Sequence, residues 1–261
     1  MTTYGSIRLE RVADVLRVVI HNPRNDLNTV DEELHAELRR LFAELKREVE
    51  ARAVVLTGHG RAFSAGGDFD WLARMPPDRL DELRRAGKQL IWDLLDVELP
   101  IVVALNGPAV GLGASIALLC DVIFMADSAT IADPHVRVGI AAGDGGSVIW
   151  PLAVGPARAK QYLLTGDALT AAEAERIGLV NRVVALDELS DATLEFAKRL
   201  AAGAPLAVRY TKLAVNQLVK QALTTAFDYS MALEMTTLRS EDHKEALRAI
   251  RERRKSRFQG R

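Results

Sequence analysis

Branched apolar residues cluster in "SIRLE" (6–10) and again in "DVLRVVIHN" (14–22), which predicts a pair of β-strands. Polar and glycine-free sequence follows, and Thr29 with Glu32 three residues on has the form of a capping box. Leu34, Leu38, Leu41, Leu45 and Val49 then lay one apolar stripe along the predicted helix. "AVVLTG" (Ala53–Gly58) and "VVALNG" (Val102–Gly107) are short apolar runs ending in glycine, with a helix expected between them at about Asp78–Asp96. Each run leads into a small-residue loop and then a helical pattern. This weak repeat of strand, glycine turn and helix predicts an α/β core.

After "GLVNRVV" (Gly178–Val184) the strand pattern stops. From about Ser190 the periodicity is helical, with breaks expected near Gly203–Pro205 and Gln221–Thr224. Leu206, Tyr210, Leu213, Gln217 and Leu218 form one stripe, and Phe227, Met231, Met235 and Leu238 another. The expected organisation is an α/β core over 1–190 and a helical region over 191–261, with no low-complexity linker between them. Two apolar stripes on a terminal helical region exceed what one helical cap needs, so an assembly surface is expected there.

Composition narrows the function classes. The 261 residues are 49% hydrophobic and 26% charged, an ordinary globular balance. A net charge of −1 argues against a general nucleic-acid binder. A single cysteine, Cys120, excludes an internal disulfide, and its apolar surroundings "IALLCDVIFMA" suit a packed core thiol better than a nucleophile. "MTTYGSIRLE" carries no apolar targeting segment, and no apolar run approaches the roughly 20 residues of a membrane span. A cytoplasmic protein is expected.

Three glycine-rich loops hold the candidate chemistry: Gly58–Asp70, Asn106–Ser115 and Gly139–Ser147. Such turns bring backbone N–H groups close to a ligand. "GLGASI" lacks the third glycine of a dinucleotide fingerprint, and no loop runs into a GK[ST] phosphate cradle. Ala62 in "AFSAG" stands where a nucleophile elbow needs glycine, so Ser64 is a poor hydrolase serine. No cluster has metal-ligand spacing. On spacing alone, the loops are as well read as structural turns, and His135 and Asp144 of "DPHVRVGIAAGDGG" as a tie within one loop.

"RAFSAGGDF" and "ALNGPAVGLGASIALLCD" resemble the two signature loops of the crotonase superfamily, the enoyl-CoA hydratase/isomerases, and the likeness continues through "LTGDALTAAEAERIGLVNRVV" to "RKSRFQG". The resemblance implies a ββα spiral core with a C-terminal helical region that packs homotrimers, often paired into homohexamers. It implies an acyl-CoA substrate and no separate cofactor or metal, coenzyme A being part of the substrate. Carried over, the oxyanion hole falls on the N–H groups of Gly67 and Leu112, and CoA contacts on Ala65, Gly66 and Asp68, on Asn25, Asp26 and Leu27, and on Arg253.

The chain departs from that pattern where the two water-activating glutamates belong, because it has Ser115 and His135 there. The stretch from His135 onward resembles the crotonase-fold β-diketone hydrolases of the 6-oxocamphor hydrolase type, which use a His and an Asp at this spacing; a further histidine of theirs is Leu112 here. His135 is therefore the expected general base and Asp144 its orienting partner. Water addition to a CoA thioester leads, with C–C hydrolysis of a β-dicarbonyl as the alternative. A non-catalytic acyl-CoA-binding or RNA-binding role is the alternative of another class. RNA binding is disfavoured because the first long helix, "DEELHAELRRLFAELKREVE", mixes acids with bases.

Overall fold

A computed structural model describes residues 3–76 and 79–261. Six strands form the main sheet in the order β1-β2-β3-β4-β6-β9. β1 (Ile7–Val12) and β2 (Val15–Ile20) pair antiparallel, as the two apolar clusters predict. β3 (Ala53–Gly58), β4 (Ile101–Leu105), β6 (Val122–Ala126) and β9 (Arg182–Val184) continue the sheet in parallel. β4 is buried at every residue, which is why its sequence is continuously apolar rather than alternating. A second sheet of β5 (Ala109–Val110), β7 (Thr130–Ala132) and β8 (Leu169–Thr170) stands beside it.

The helices differ from their predicted bounds for local reasons. α1 spans Glu32–Leu45, and its N-cap is Asp31, whose carboxylate accepts the Leu34 N–H, rather than Thr29. Thr29 is engaged by Asn25 instead, through both its N–H and its hydroxyl. Leu34, Leu38, Leu41 and Leu45 are buried, whereas Val49 lies past the helix end at 85% exposure. A short α2 (Phe69–Arg74), capped by Asp68, was not expected from the pattern. α3 covers Leu80–Asp96, and its expected start at Asp78 lies outside the described residues. Between the sheets, α4 (Leu112–Leu118) follows β5, and α5 (Gly146–Val154), α6 (Pro156–Thr165) and α7 (Ala171–Arg176) follow the third glycine loop.

α8 (Leu189–Ala201) lies against β2, β3, β4 and β6, so the helical part that stands off the sheet is α9 (Pro205–Leu238) and α10 (Glu241–Arg251). α9 runs unbroken through 221–224, because "QALT" contains neither proline nor glycine and Leu223 is buried. Its Phe227, Met231 and Met235 are buried, while Leu206, Tyr210 and Leu218 of the first stripe are exposed. Lys212 anchors the first half of α9: its ammonium donates to Asp121 at 2.7 Å and to the Leu99 carbonyl at 2.8 Å, and Asp121 also accepts the Ile101 N–H. Nearby, Cys120 donates to the Ile116 carbonyl and burial pushes its thiol pKa up, as a packed residue requires.

Candidate active site

The three glycine loops converge on one cavity of about 130 Å³, open to solvent and bounded by α2, α3 and α9. Strand-like bonds stitch the first loop in place: Val30 N–H to Gly66 O, Asp68 N–H to Val30 O, and Val110 N–H to Ser64 O. Gly66 has φ +82, and a Cβ there would sit 2.7 Å from the Val110 carbonyl, so only glycine lets the two loops approach this closely. Gly111, at φ +52, caps α4 and spends its own N–H on Ala132. The N–H groups of Gly67 and Leu112 donate no hydrogen bond within the protein among the described residues, and both residues line the cavity. Two unspent donors in one apolar cavity, with Leu112 in the first turn of a helix, suit an oxygen that becomes negative.

His135 opens a 3-10 turn, His135–Val138, and the edge of its ring reaches the open side of Gly111, next to Leu112. Its Nδ1 hydrogen-bonds Asp133, which is fully buried. Its Nε2 lies 3.5 Å from Asp144 Oδ2, longer than a hydrogen bond. The other Asp144 oxygen accepts the Ser115 hydroxyl at 2.8 Å, and the carboxylate also takes the Gly146 N–H. Gly146 is needed for the loop to pass: a Cβ there would be 2.0 Å from Asp133.

These contacts correct the expected roles. The carboxylate that orients His135 is Asp133, two residues away, and Asp144 instead faces the cavity side of the ring. Burial opposes charge on the imidazole, but Asp133 and Asp144 on either side hold its pKa well above the ordinary value. The two carboxylates thus favour the charged imidazole, against the effect of burial. Asp144 is pushed up by burial against the pull of His135. A carboxylate of raised pKa is a better base near neutrality than an exposed one.

Asp133, His135 and Asp144 each offer a ligand atom within 4.8 Å of the others, the one such group among the described residues. Asp133 Oδ1 and His135 Nδ1 are engaged with each other, while Asp133 Oδ2 is buried without a hydrogen-bond partner.

Of the expected CoA contacts, Ala65 and Gly66 line the cavity. Asp68 accepts the Trp71 N–H at 2.7 Å as the α2 cap. Asn25 closes a turn with Thr29, Asp26 pairs with Arg61 at 3.4 Å, and the Leu27 carbonyl accepts the Ala65 N–H at 2.9 Å, so that segment braces the first loop from behind. Arg253 is exposed beyond α10 and is not among the cavity residues. Three groups at or just behind the cavity wall had no sequence assignment. Asp133 had a signal, its position two before His135. His35 on α1, where burial lowers the pKa to about 4, and Glu234 on α9 had none.

Comparison with known proteins agrees with this geometry. A family model described as enoyl-CoA hydratase/isomerase matches residues 10–261. The short-chain-enoyl-CoA hydratase of Clostridium acetobutylicum is 33% identical over 252 residues, 96% of each chain. The crystal structure of an enoyl-CoA hydratase/isomerase from Mycobacterium paratuberculosis superposes with a TM-score of 0.88 at 36% identity, covering 93% of this chain and 97% of that one. A β-diketone hydrolase from the cyanobacterium Anabaena, bound to (S)-3-oxocyclohexyl acetic acid, gives 0.84 at 32% identity, covering 90% and 94%. The mixed α/β sheets and C-terminal helices are thus those of the crotonase fold, and this chain is an enzyme of the enoyl-CoA hydratase/isomerase family.

Proposed function

We propose that the protein adds water to an acyl group carried as a CoA thioester, with Asp144 as the base. The observation that carries this is the shared cavity: the Asp144 carboxylate and the unspent N–H groups of Gly67 and Leu112 face the same apolar space. The thioester oxygen takes the two N–H groups and becomes an enolate oxygen as water attacks. Asp144 removes the water proton, and the neighbouring His135 favours its ionised form until it does. Ser115 holds the carboxylate at the angle that aims its second oxygen into the cavity. Coenzyme A is the handle of the substrate, and the enolate that forms still requires a proton at its α-carbon. Ala65 and Gly66 are the nearest wall for that handle, Asp68 caps the helix beside them, and Arg253 would have to come from a neighbouring subunit.

A second reading has its own support. Ser115 and His135 replace the two glutamates of the hydratase pattern, and a β-diketone hydrolase is among the similar structures. In that reading water attacks one carbonyl of a β-dicarbonyl, and the enolate leaves onto the same two N–H groups.

Both are tested by offering short and branched enoyl-CoA thioesters beside a cyclic β-diketone. Hydration is expected, with crotonyl-CoA turned over slowly, since Ser115 and His135 stand where the two glutamates of the hydratase pattern belong. Turnover of the diketone with no thioester hydrated moves the assignment to the second reading, and no turnover of either class removes both. The exposed stripe of Leu206, Tyr210 and Leu218 supports an assembly surface, which we read as that of a homotrimer or homohexamer. Light scattering is expected to return three or six chain masses, and a monomer at micromolar concentration would contradict it.

A further inference from the structure

The hydratase pattern needs two carboxylates, and positions 115 and 135 hold neither. Asp144 supplies one from a different loop. We propose that Glu234, on α9, is the other: a neutral carboxylic acid that delivers its proton to the α-carbon of the enolate held by Gly67 and Leu112. This rests on the water-addition chemistry above and holds for either substrate class.

The geometry sets Glu234 apart from an ordinary buried acid. It lines the cavity with His135 and Asp144 and is 9% exposed. Its carboxyl makes no hydrogen bond among the described residues, and Oε2 is fully buried without a partner. The backbone at Gly143 presses directly on it: a Cβ at that position would lie 2.5 Å from Oε2 and 2.7 Å from the Ser230 carbonyl. Backbone contact thus fixes the carboxyl without giving it a donor.

Asp144 differs in its partners: burial raises its pKa as well, but His135, the Ser115 hydroxyl and the Gly146 N–H oppose that rise. Burial first, and then the Asp144 charge, raise the Glu234 pKa to about 8. One carboxylate in the cavity is held by donors and the other by none, the kind of difference in environment by which a site obtains a base and an acid from one residue type. The titratable groups facing Glu234 are Asp144, His135 and Asp133. From α3, Lys88 is paired with Asp228, and from α10, His243 is engaged by the Val138 carbonyl. His35 also lines the cavity, but with its pKa near 4 it is a neutral ring and a poor acid.

The step balances. Water oxygen bonds to the electrophilic carbon and its proton goes to Asp144. In an enoyl thioester the C=C electron pair moves to the thioester oxygen; in a β-dicarbonyl the attacked carbonyl collapses and the C–C pair moves to the second oxygen. The enolate then takes the Glu234 proton at its α-carbon. The proton held on Asp144 replaces it, returning both groups to their starting state.

Glu234→Gln keeps the shape and cannot donate the acid proton. Its turnover is expected to fall about 10²–10⁴-fold with KM little changed. The wild type should lose activity as pH rises through about 8, because Glu234 ionises there, and the variant should lack that limb. In deuterated water the wild-type product should be labelled on one face of the α-carbon, and the variant product on both. Infrared spectra at neutral pH should show a protonated-carboxyl band that vanishes in Glu234→Gln, whereas an ionised Glu234 there overturns the proposal whether or not a substrate is known. Wild-type turnover with an unchanged pH profile and labelling face in the variant sinks the donor role alone. No turnover by the wild type sinks the water-addition reading and the donor role together.

Discussion

Asp144→Asn is expected to lose about 10²–10⁴-fold in turnover while the protein stays folded. An amide at this position still accepts the Ser115 hydroxyl, which the carboxylate takes at 2.8 Å, so the loop keeps its shape. What disappears is the basic oxygen on the cavity side of His135. His135→Ala is expected to cost activity for a different reason. The ring lies between Asp133 and Asp144, and without it Asp144 keeps its burial and loses the His135 contribution that lowers its pKa. The base is then protonated over a wider range, so the low-pH limb of the activity profile moves to higher pH.

Because both residues serve one proton transfer, the double variant should be little worse than the more damaging single one. Multiplicative losses would separate their jobs. Full activity in both single variants, on a substrate the wild type turns over, would reduce the pair to a loop tie. A profile that rises through an ordinary histidine titration, with the limb abolished rather than shifted in His135→Ala, would restore His135 as the base.

Lys212→Met should lower stability by about 3–5 kcal/mol, the cost of leaving one member of a buried ion pair behind. The Lys212 side chain is 7% exposed and bridges Asp121 and the Leu99 carbonyl, tying α9 to the start of β4. Asp121 already has its pKa raised by burial against the pull of Lys212, so removing the ammonium leaves a carboxylate with only the Ile101 N–H. Lys212→Met combined with Asp121→Asn should recover much of the loss, because the amide oxygen still accepts that N–H without a charge. Urea titrations of the three proteins measure this, and a single variant within about 0.5 kcal/mol of wild type would show that the pair adds nothing. The site gives the anchor its purpose, since α9 carries Met231, Glu234 and Met235 to the cavity.

The apolar pattern by itself determined the strand pair, the buried parallel strands and the helical last third, because side-chain period reports which face meets the core. The glycine loops also determined the backbone approach at Gly66 and Gly111, since a left-handed turn excludes most other residues. His135 and Asp144 were readable as a pair in one cavity. Their roles were not, because the orienting carboxylate had two candidates and only packing chose Asp133 over Asp144. The same holds where the elements moved: Asp31 took the α1 cap once Asn25 had engaged Thr29, and burial of Leu223 carried α9 through its expected break. Glu234 lay furthest from any sequence signal. On its helix it reads as one more charged residue, and it becomes an acid only when the third glycine loop closes over it. Periodicity and turn chemistry act over a few residues, whereas a carboxyl's protonation is set by the burial and charges that folding brings around it.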